Sequence, residues 1–313
     1  MEICNIKDVK ESVVLTLGSF DGIHKGHIKL IEELKQSAKL LQCKSAVMTF
    51  RPHPREVVNP DFQIKYLTVW SEKVDLLKKL DIDYLIVEKF DKQMMNTEPK
   101  FYFENHVLKN LNVKRIVTGF NHHFGSNRSG GKELLVQLGD KYNFDVVSVD
   151  PFIIDNKTVS STLIRDSVSK WDGLAKDYLG RYYFIDGVVE HGKKRGRGLG
   201  FPTINLSFEN EKKLRPSSGV YLTVVRFDQS SYFGLTNIGF KPTFNEKGET
   251  VETHILNFSR ECYDEKVRIF FIEKIRDEKK FDNPEKLKEQ LITDRENCIK
   301  IIESLDLENF DII

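Results

Sequence analysis

The sequence predicts two folded parts in series: an α/β part, then an antiparallel β-rich part closed by one helix. Three observations carry this. Short apolar runs alternate with helical patterns through the first half, and dense Val, Ile, Tyr and Phe runs separated by turns fill the second. The length of 313 residues suits two domains at about 150 residues each.

Val13 to Leu17 reads as a buried strand, and residues 25–42 place Ile28, Ile31, Leu34, Ala38 and Leu41 at helical spacing. Strands follow at 45–50, 84–87, 115–118 and 145–149, with helices at 72–80, 101–108 and 131–141 between them. This alternation implies a parallel sheet with crossover helices, and such sheets bind ligands at the carboxyl ends of their strands. From about Tyr178 the rhythm changes. Residues 182–190, 219–227, 232–237, 251–258 and 266–275 read as strands of an antiparallel barrel or sandwich. Asn283 as N-cap and Pro284 in the first helical position open a last helix, with Leu287, Leu291, Cys298, Ile301 and Leu305 on one face. The boundary is expected near Leu179–Gly180, giving parts 1–179 and 180–313.

Composition narrows the function classes. Hydrophobic residues make up 40% and charged residues 30%, as in a soluble globular protein. A net charge of +1 provides no broad basic field for nucleic acid. No apolar run approaches the ~20 residues that span a bilayer, and Met1–Asn5 shows no leader pattern. A cytoplasmic location is therefore expected, without nucleic-acid or membrane partners; a homo-oligomer is compatible with the sequence. Cys4, Cys43, Cys262 and Cys298 form no Cys-x-x-Cys pair, so free thiols in a reducing compartment are expected.

Two constellations carry chemistry. Gly18-Ser19-Phe20-Asp21-Gly22-Ile23-His24-Lys25-Gly26-His27 follows the first strand and opens a helix. Glycines permit a tight turn, and a helix N-terminus suits phosphate. Gly18, Phe20, Asp21 and Gly22 are thus candidate phosphate-loop residues, while His24 and His27 are candidate donors to a triphosphate. A metal site is the weaker reading, because no third ligand lies nearby. The hydroxyls of Ser161 and Thr162, with Arg165 one turn on, suit phosphate, although Ser-Ser-Thr reads equally well as an ordinary helix cap. In the second half, five glycines fall within residues 187–200 around a basic tract, including Gly192, Lys193 and Gly198. A phosphate-cradling loop is favoured there over a nucleic-acid patch or a solvated charge run. It is not a Walker loop, since Gly-Lys-Ser/Thr is missing.

The first constellation resembles the signature of the nucleotidyltransferase superfamily, in its flavin-adenylylating branch. Phe50-Arg51-Pro52-His53-Pro54 and Ser160-Ser161-Thr162-Leu163-Ile164-Arg165 are similar to two further segments of that family. The usual Gly-x-Asp/Asn-Phe-x-Phe-Gly segment appears here as Gly119-Phe120-Asn121-His122-His123-Phe124-Gly125, with His122 in place of a Phe; Gly131 stands where an Asp often follows Gly130. Gly180-Arg181-Tyr182-Tyr183, the glycine-rich loop and Pro202-Thr203-Ile204-Asn205 resemble a riboflavin kinase module. So do Asn237–Phe244, Glu252–Phe258 and Ile275–Phe281. The chain therefore resembles the bifunctional bacterial riboflavin kinase/FAD synthetase family over nearly its whole length.

The resemblance implies a Rossmann-like nucleotidyltransferase domain, then an antiparallel β-barrel riboflavin kinase domain with a C-terminal helix. It implies ATP and Mg²⁺, with riboflavin, FMN and FAD as substrates and products. FMN phosphate would attack the α-phosphorus of ATP, with His24 and His27 stabilising the transition state and Arg165 holding ATP phosphate or the leaving pyrophosphate. Asn121 is implied to contact flavin. His122 and His123 are read as site-edge residues rather than metal ligands. In the kinase half, Thr203 and Asn205 would sit around Mg²⁺, and Glu252 would take the proton from the riboflavin 5′-hydroxyl. Arg276 would hold flavin or phosphate, with an ion pair to a nearby carboxylate as the other reading. Two alternatives stay open: a riboflavin kinase with a weak or inactive adenylyltransferase half, and a non-catalytic flavin-binding regulator.

Overall fold

The structure is a computed structural model, and it describes all residues except 121–124, 126–128, 192–197, 199, 229, 241–248 and 306–313. By backbone proximity the chain forms two compact units, Met1–Ser161 and Thr162–Ile313.

The first unit is built on six parallel strands: β1 (Glu2–Cys4), β2 (Ser12–Leu17), β3 (Lys44–Arg51), β4 (Tyr84–Lys89), β5 (Asn112–Gly119) and β6 (Asp145–Val149). Their order across the sheet is β1-β4-β3-β2-β5-β6. The chain leaves β2 towards β3 on one side and later returns to β5 on the other. The carboxyl end of β2 is thus the switch point where open α/β sheets bind ligands. Crossovers carry α1 (Lys25–Leu40), α2 (Pro54–Val58), α3 (Trp70–Lys79), α4 (Lys92–Asn96), α5 (Pro99–Tyr102), α6 (Leu108–Asn110) and α7 (Lys132–Tyr142). A hairpin of β7 (Ile153–Ile154) and β8 (Lys157–Thr158) follows β6. The sheet core is Val13, Leu15, Met48, Ile86 and Ile116 with Phe103 and Leu135, all fully buried. The helix expected at 101–108 is interrupted: α5 runs through a π turn, Phe103–Val107, into α6. The π turn buries both Phe103 and Val107 in the core.

In the second unit, α8 (Ser161–Lys170), which starts at the boundary, and α9 (Ala175–Leu179) precede β9 (Tyr183–Glu190), β10 (Ile204–Ser207), β11 (Gly219–Phe227), β12 (Ser230–Phe240), β13 (Glu249–Ile255) and β14 (Lys266–Arg276). These strands close as β10-β13-β12-β11-β14-β9. β10 was not expected as a strand, yet its pairing with both β9 and β13 makes the fold a barrel rather than a sandwich. β13 ends sooner than the expected 258, because Asn257 turns left-handed at φ 54. Trp171, just past α8, packs edge-on against Tyr221 and Phe271, so residues before the expected boundary are tied to the barrel.

Thr223, Thr236 and Thr253 are fully buried on adjacent strands. Their hydroxyls link at 2.8 Å each, and Thr223 donates to the Gly234 carbonyl at 3.1 Å. Each hydroxyl carries one proton. The chain of donors therefore runs from Thr253 to Thr236 to Thr223 to Gly234, and these polar groups are satisfied inside the barrel.

The outer barrel face is covered by α10 (Pro284–Ser304), which opens as expected, with Asn283 accepting from the Lys286 N–H at 2.9 Å. Cys298 of α10 packs among Val220, Leu222 and Leu235. Asp294, 1% exposed, grips Arg276 of β14 with contacts of 2.8–3.0 Å and accepts from Gln290. Asp294→Ala is expected to cost about 3 kcal/mol, because it strands a partly buried guanidinium; urea unfolding of the full chain measures this.

Candidate active sites

The loop from Gly18 to His24 turns sharply at the end of β2. Phe20 (φ 46), Gly22 (φ 91) and Ile23 (φ 39) are all left-handed, and both apolar side chains are buried. Left-handed bulky residues cost about 1–3 kcal/mol each and persist only where their surroundings over-determine them. Asp21, 1% exposed, does that here. Its carboxylate accepts from the Leu67 and Thr68 N–H groups and from the Thr68 hydroxyl, at 2.9–3.2 Å. Thr68 in turn accepts from the Gly22 N–H. A Cβ on Gly22 would meet Leu67 at 2.8 Å, so this position also needs glycine for space. Asp21, expected at phosphate, therefore acts as an anchor of the loop.

His24 caps α1: its Nδ1 accepts from the His27 N–H at 3.3 Å. A neutral His24 then carries its proton on Nε2. The first intrahelical bond comes from the Ile28 N–H to the His24 carbonyl, so the Lys25 and Gly26 N–H groups lie at the positive end of the helix. The two imidazoles stack with centroids 3.7 Å apart, and Phe20 lies 5.1 Å from His27. A Cβ on Gly26 would press on the His24 ring at 3.2 Å. The sequence-predicted pair is thus brought together as one stacked unit at the sheet's switch point. Ser161, the last residue of the first unit, donates from its hydroxyl to the Asp21 carbonyl at 2.8 Å. Thr162 and Arg165 follow on α8, three residues apart and so on one helix face.

Lys73, on α3, was missed in the sequence. It is 7% exposed and donates to the Ser19 carbonyl at 2.7 Å. Burial pushes its pKa down; the Asp21 carboxylate opposes this and Arg51 adds to it. Arg51 itself stacks over Trp70 at 5.0 Å. A Glu-Lys pair on an amphipathic helix reads as a solvated face, and nothing local signals burial.

In the barrel, strand register does what loops do in the first unit. Asn205 of β10 pairs with Glu252 of β13, Glu252 with Asn237 of β12, Asn237 with Val220 of β11, and Val220 with Arg276 of β14. Directly paired residues share a face. Three residues predicted from distant segments, Asn205, Glu252 and Arg276, thus fall on one row of the outer face. Thr203, exposed, lies two residues ahead of Asn205. His254 donates from Nδ1 to the Pro202 carbonyl, 2.8 Å away, and its ring meets Phe201 at 5.1 Å, fixing the approach to Thr203. Burial lowers the His254 pKa, the Pro202 contact opposes this, and Arg295 of α10 adds to it. Glu278 lies beside Gly239 and Asn237: a Cβ on Gly239 would meet its Oε1 at 2.6 Å. Arg276 is engaged by Asp294, so the ion-pair reading describes this structure. Gly198 lies in open space. Asn121, His122, His123, Gly192 and Lys193 lie outside the described residues. Gly131 is the N-cap of α7.

Comparison with known proteins divides along the same lines. Residues 6–163 match the FAD synthetase family and residues 179–302 the riboflavin kinase family. Curated bifunctional riboflavin kinase/FMN adenylyltransferases are similar end to end. The protein from Buchnera aphidicola subsp. Schizaphis graminum is 35% identical over 300 residues, covering 94% of this chain and 95% of its own. That from Bacillus subtilis is 35% identical over 306 residues, covering 96% of each, and that from Escherichia coli K12 is 31% identical over 287, covering 91% of each. A crystal structure described as a macrolide-efflux protein from Streptococcus pneumoniae shares the fold, with a TM-score of 0.85 and 30% identity over 94% of this chain and 97% of that one. Among the described residues here, no helix is long and apolar enough to cross a membrane. A Rossmann-like nucleotidyltransferase unit joined to a β-barrel kinase unit defines a two-site transferase. The chain belongs to the bifunctional riboflavin kinase/FMN adenylyltransferase family.

Proposed function

We propose that the chain phosphorylates riboflavin to FMN with one ATP and adenylylates FMN to FAD with a second, releasing pyrophosphate. The observation that carries this reading is that one chain holds two separate constellations: the stacked His24–His27 pair at a switch point, and the Asn205–Glu252 row on a closed barrel. The functional division is read as residues 1–179 for adenylyl transfer and 180–313 for the kinase.

In the part read as residues 1–179, FMN phosphate displaces pyrophosphate from the α-phosphorus. His24 Nε2 and the Lys25 and Gly26 N–H groups at the start of α1 offer donors to the charge that develops, and Arg165 holds ATP phosphate or the leaving group. In the second, Glu252 accepts the riboflavin 5′-hydroxyl proton as that oxygen attacks the γ-phosphorus. The Thr203 hydroxyl and Asn205 amide oxygen beside Glu252 are hard oxygen donors of the kind Mg²⁺ takes, and so they would hold it with the ATP phosphates. When bound, Mg²⁺ neutralises phosphate charge. The reading is of a cytoplasmic enzyme with small-molecule partners, built from ATP- and flavin-binding parts.

Incubation of the purified chain with riboflavin and Mg-ATP, followed by chromatography, tests it. FMN should appear first and FAD after it. FMN accumulating without FAD, even when FMN is supplied directly, would leave the kinase standing and overturn the adenylyltransferase.

A further inference from the structure

Lysine is almost never buried without a reason, and Lys73 is buried under the nucleotide loop, with its Nζ on the Ser19 carbonyl. In a planar trans peptide the carbonyl and the following N–H point in opposite directions. Holding the Ser19 carbonyl towards α3 therefore turns the Phe20 N–H away from α3. Phe20 is also the first of the left-handed residues in the turn, so the peptide that Lys73 holds is the one entering the strained stretch.

We propose that Lys73 is a positioning residue for adenylyl transfer: it orients the Ser19–Phe20 peptide so that the Phe20 N–H faces the ATP phosphates, and it keeps a positive charge beneath the loop. This rests on the adenylyltransferase reading of the first unit. Asp21 anchors the loop through Leu67 and Thr68, and Lys73 anchors it one peptide earlier, from α3. The two charges also sit close enough to act on each other.

The charged groups facing Lys73 are the Asp21 carboxylate from the loop and Arg51 from the end of β3. On its own helix, Glu72 is engaged in capping the Val69 N–H at 2.9 Å. Burial and Arg51 favour the neutral amine, and Asp21 resists it. With the folded pKa depressed, the charged form is present at lower pH. It is lost as pH rises through that value, earlier than for a solvated lysine. An arginine at this position stays charged throughout.

The test uses full-length native, Lys73→Met and Lys73→Arg chains, with FMN and Mg-ATP as substrates and riboflavin phosphorylation in the same preparations as control. Lys73→Met should lower kcat/KM for FAD formation on the order of 100-fold, as loss of an aimed donor does, with riboflavin phosphorylation unchanged. The native chain is expected to lose rate on the alkaline side, and Lys73→Arg should recover to within about tenfold of native without that alkaline fall. Lys73→Met forming FAD within about twofold of native overturns the proposal. So does a Lys73→Arg profile with the native alkaline limb intact, and that measurement decides the matter even where Lys73→Met fails to fold. A native chain that makes no FAD from FMN brings down the adenylyltransferase reading itself, a result distinct from either of these.

Discussion

His24→Asn is expected to lower FMN adenylylation by about 10²–10³-fold while leaving riboflavin phosphorylation intact. The choice of asparagine follows from the two functions of this side chain. His24 Nδ1 caps α1 by accepting from the His27 N–H. Asparagine is among the best N-cap residues, so it keeps that acceptor. What it lacks is the Nε2 donor and the ring stacked on His27. His24→Ala removes cap and donor together and should cost a further ~1 kcal/mol of stability in the first unit. Steady-state FAD formation from supplied FMN, beside thermal unfolding, separates these effects. If His24→Asn retains native FAD formation, the ring has no part in the chemistry and its role is confined to the cap.

Glu252→Gln is expected to produce the mirror image. Riboflavin phosphorylation should fall by about 10²–10⁴-fold, the usual contribution of a positioned general base. FAD formation from supplied FMN should be unaffected. Glutamine preserves the length of the side chain and its neighbours Asn205 and Asn237 in the row. It offers an amide where a carboxylate is needed to take a proton. The loss should therefore appear in kcat, with little change in KM for ATP. An unchanged kcat would move the proton acceptor elsewhere and reduce Glu252 to a strand carboxylate.

The legible parts of this molecule were those whose signals are local. A buried strand, a glycine turn and an amphipathic helix lie within thirty residues of each other from Val13 to Leu41, so the first site is visible as a string. The alternation of strands and helices likewise declares the parallel sheet. β10 is different: its four residues, Ile-Asn-Leu-Ser, alternate, but the run is too short to declare a strand, and it takes its meaning from pairing with Glu190 on one side and Glu252 on the other. The same holds for the barrel row, whose members are identified as neighbours by register and not by spacing. Asp21 shows the opposite difficulty. An aspartate in a phosphate-type loop reads as a ligand contact, but its carboxylate is directed to backbone N–H groups contributed by residues 67 and 68. Lys73 could not be read at all, because the Ser19 carbonyl that justifies its burial is supplied by a separate strand–helix junction.

Ring closure of the barrel has a consequence for how the two sites are lost. An open sheet can fray from an edge strand, one hydrogen-bonded pair at a time. A closed ring has no edge from which to begin, so the residues of the Asn205–Glu252–Asn237 row separate only when the ladders on both sides of a strand break together. Their geometry is tied to a cooperative, nearly global opening. The Gly18–His24 loop is held by a few side-chain contacts against left-handed backbone, and loops of that kind open locally, at a fraction of the global free energy. In hydrogen exchange, the amides of the Gly18–His24 loop are thus expected to exchange by local opening, and those of the barrel row only on unfolding of the barrel.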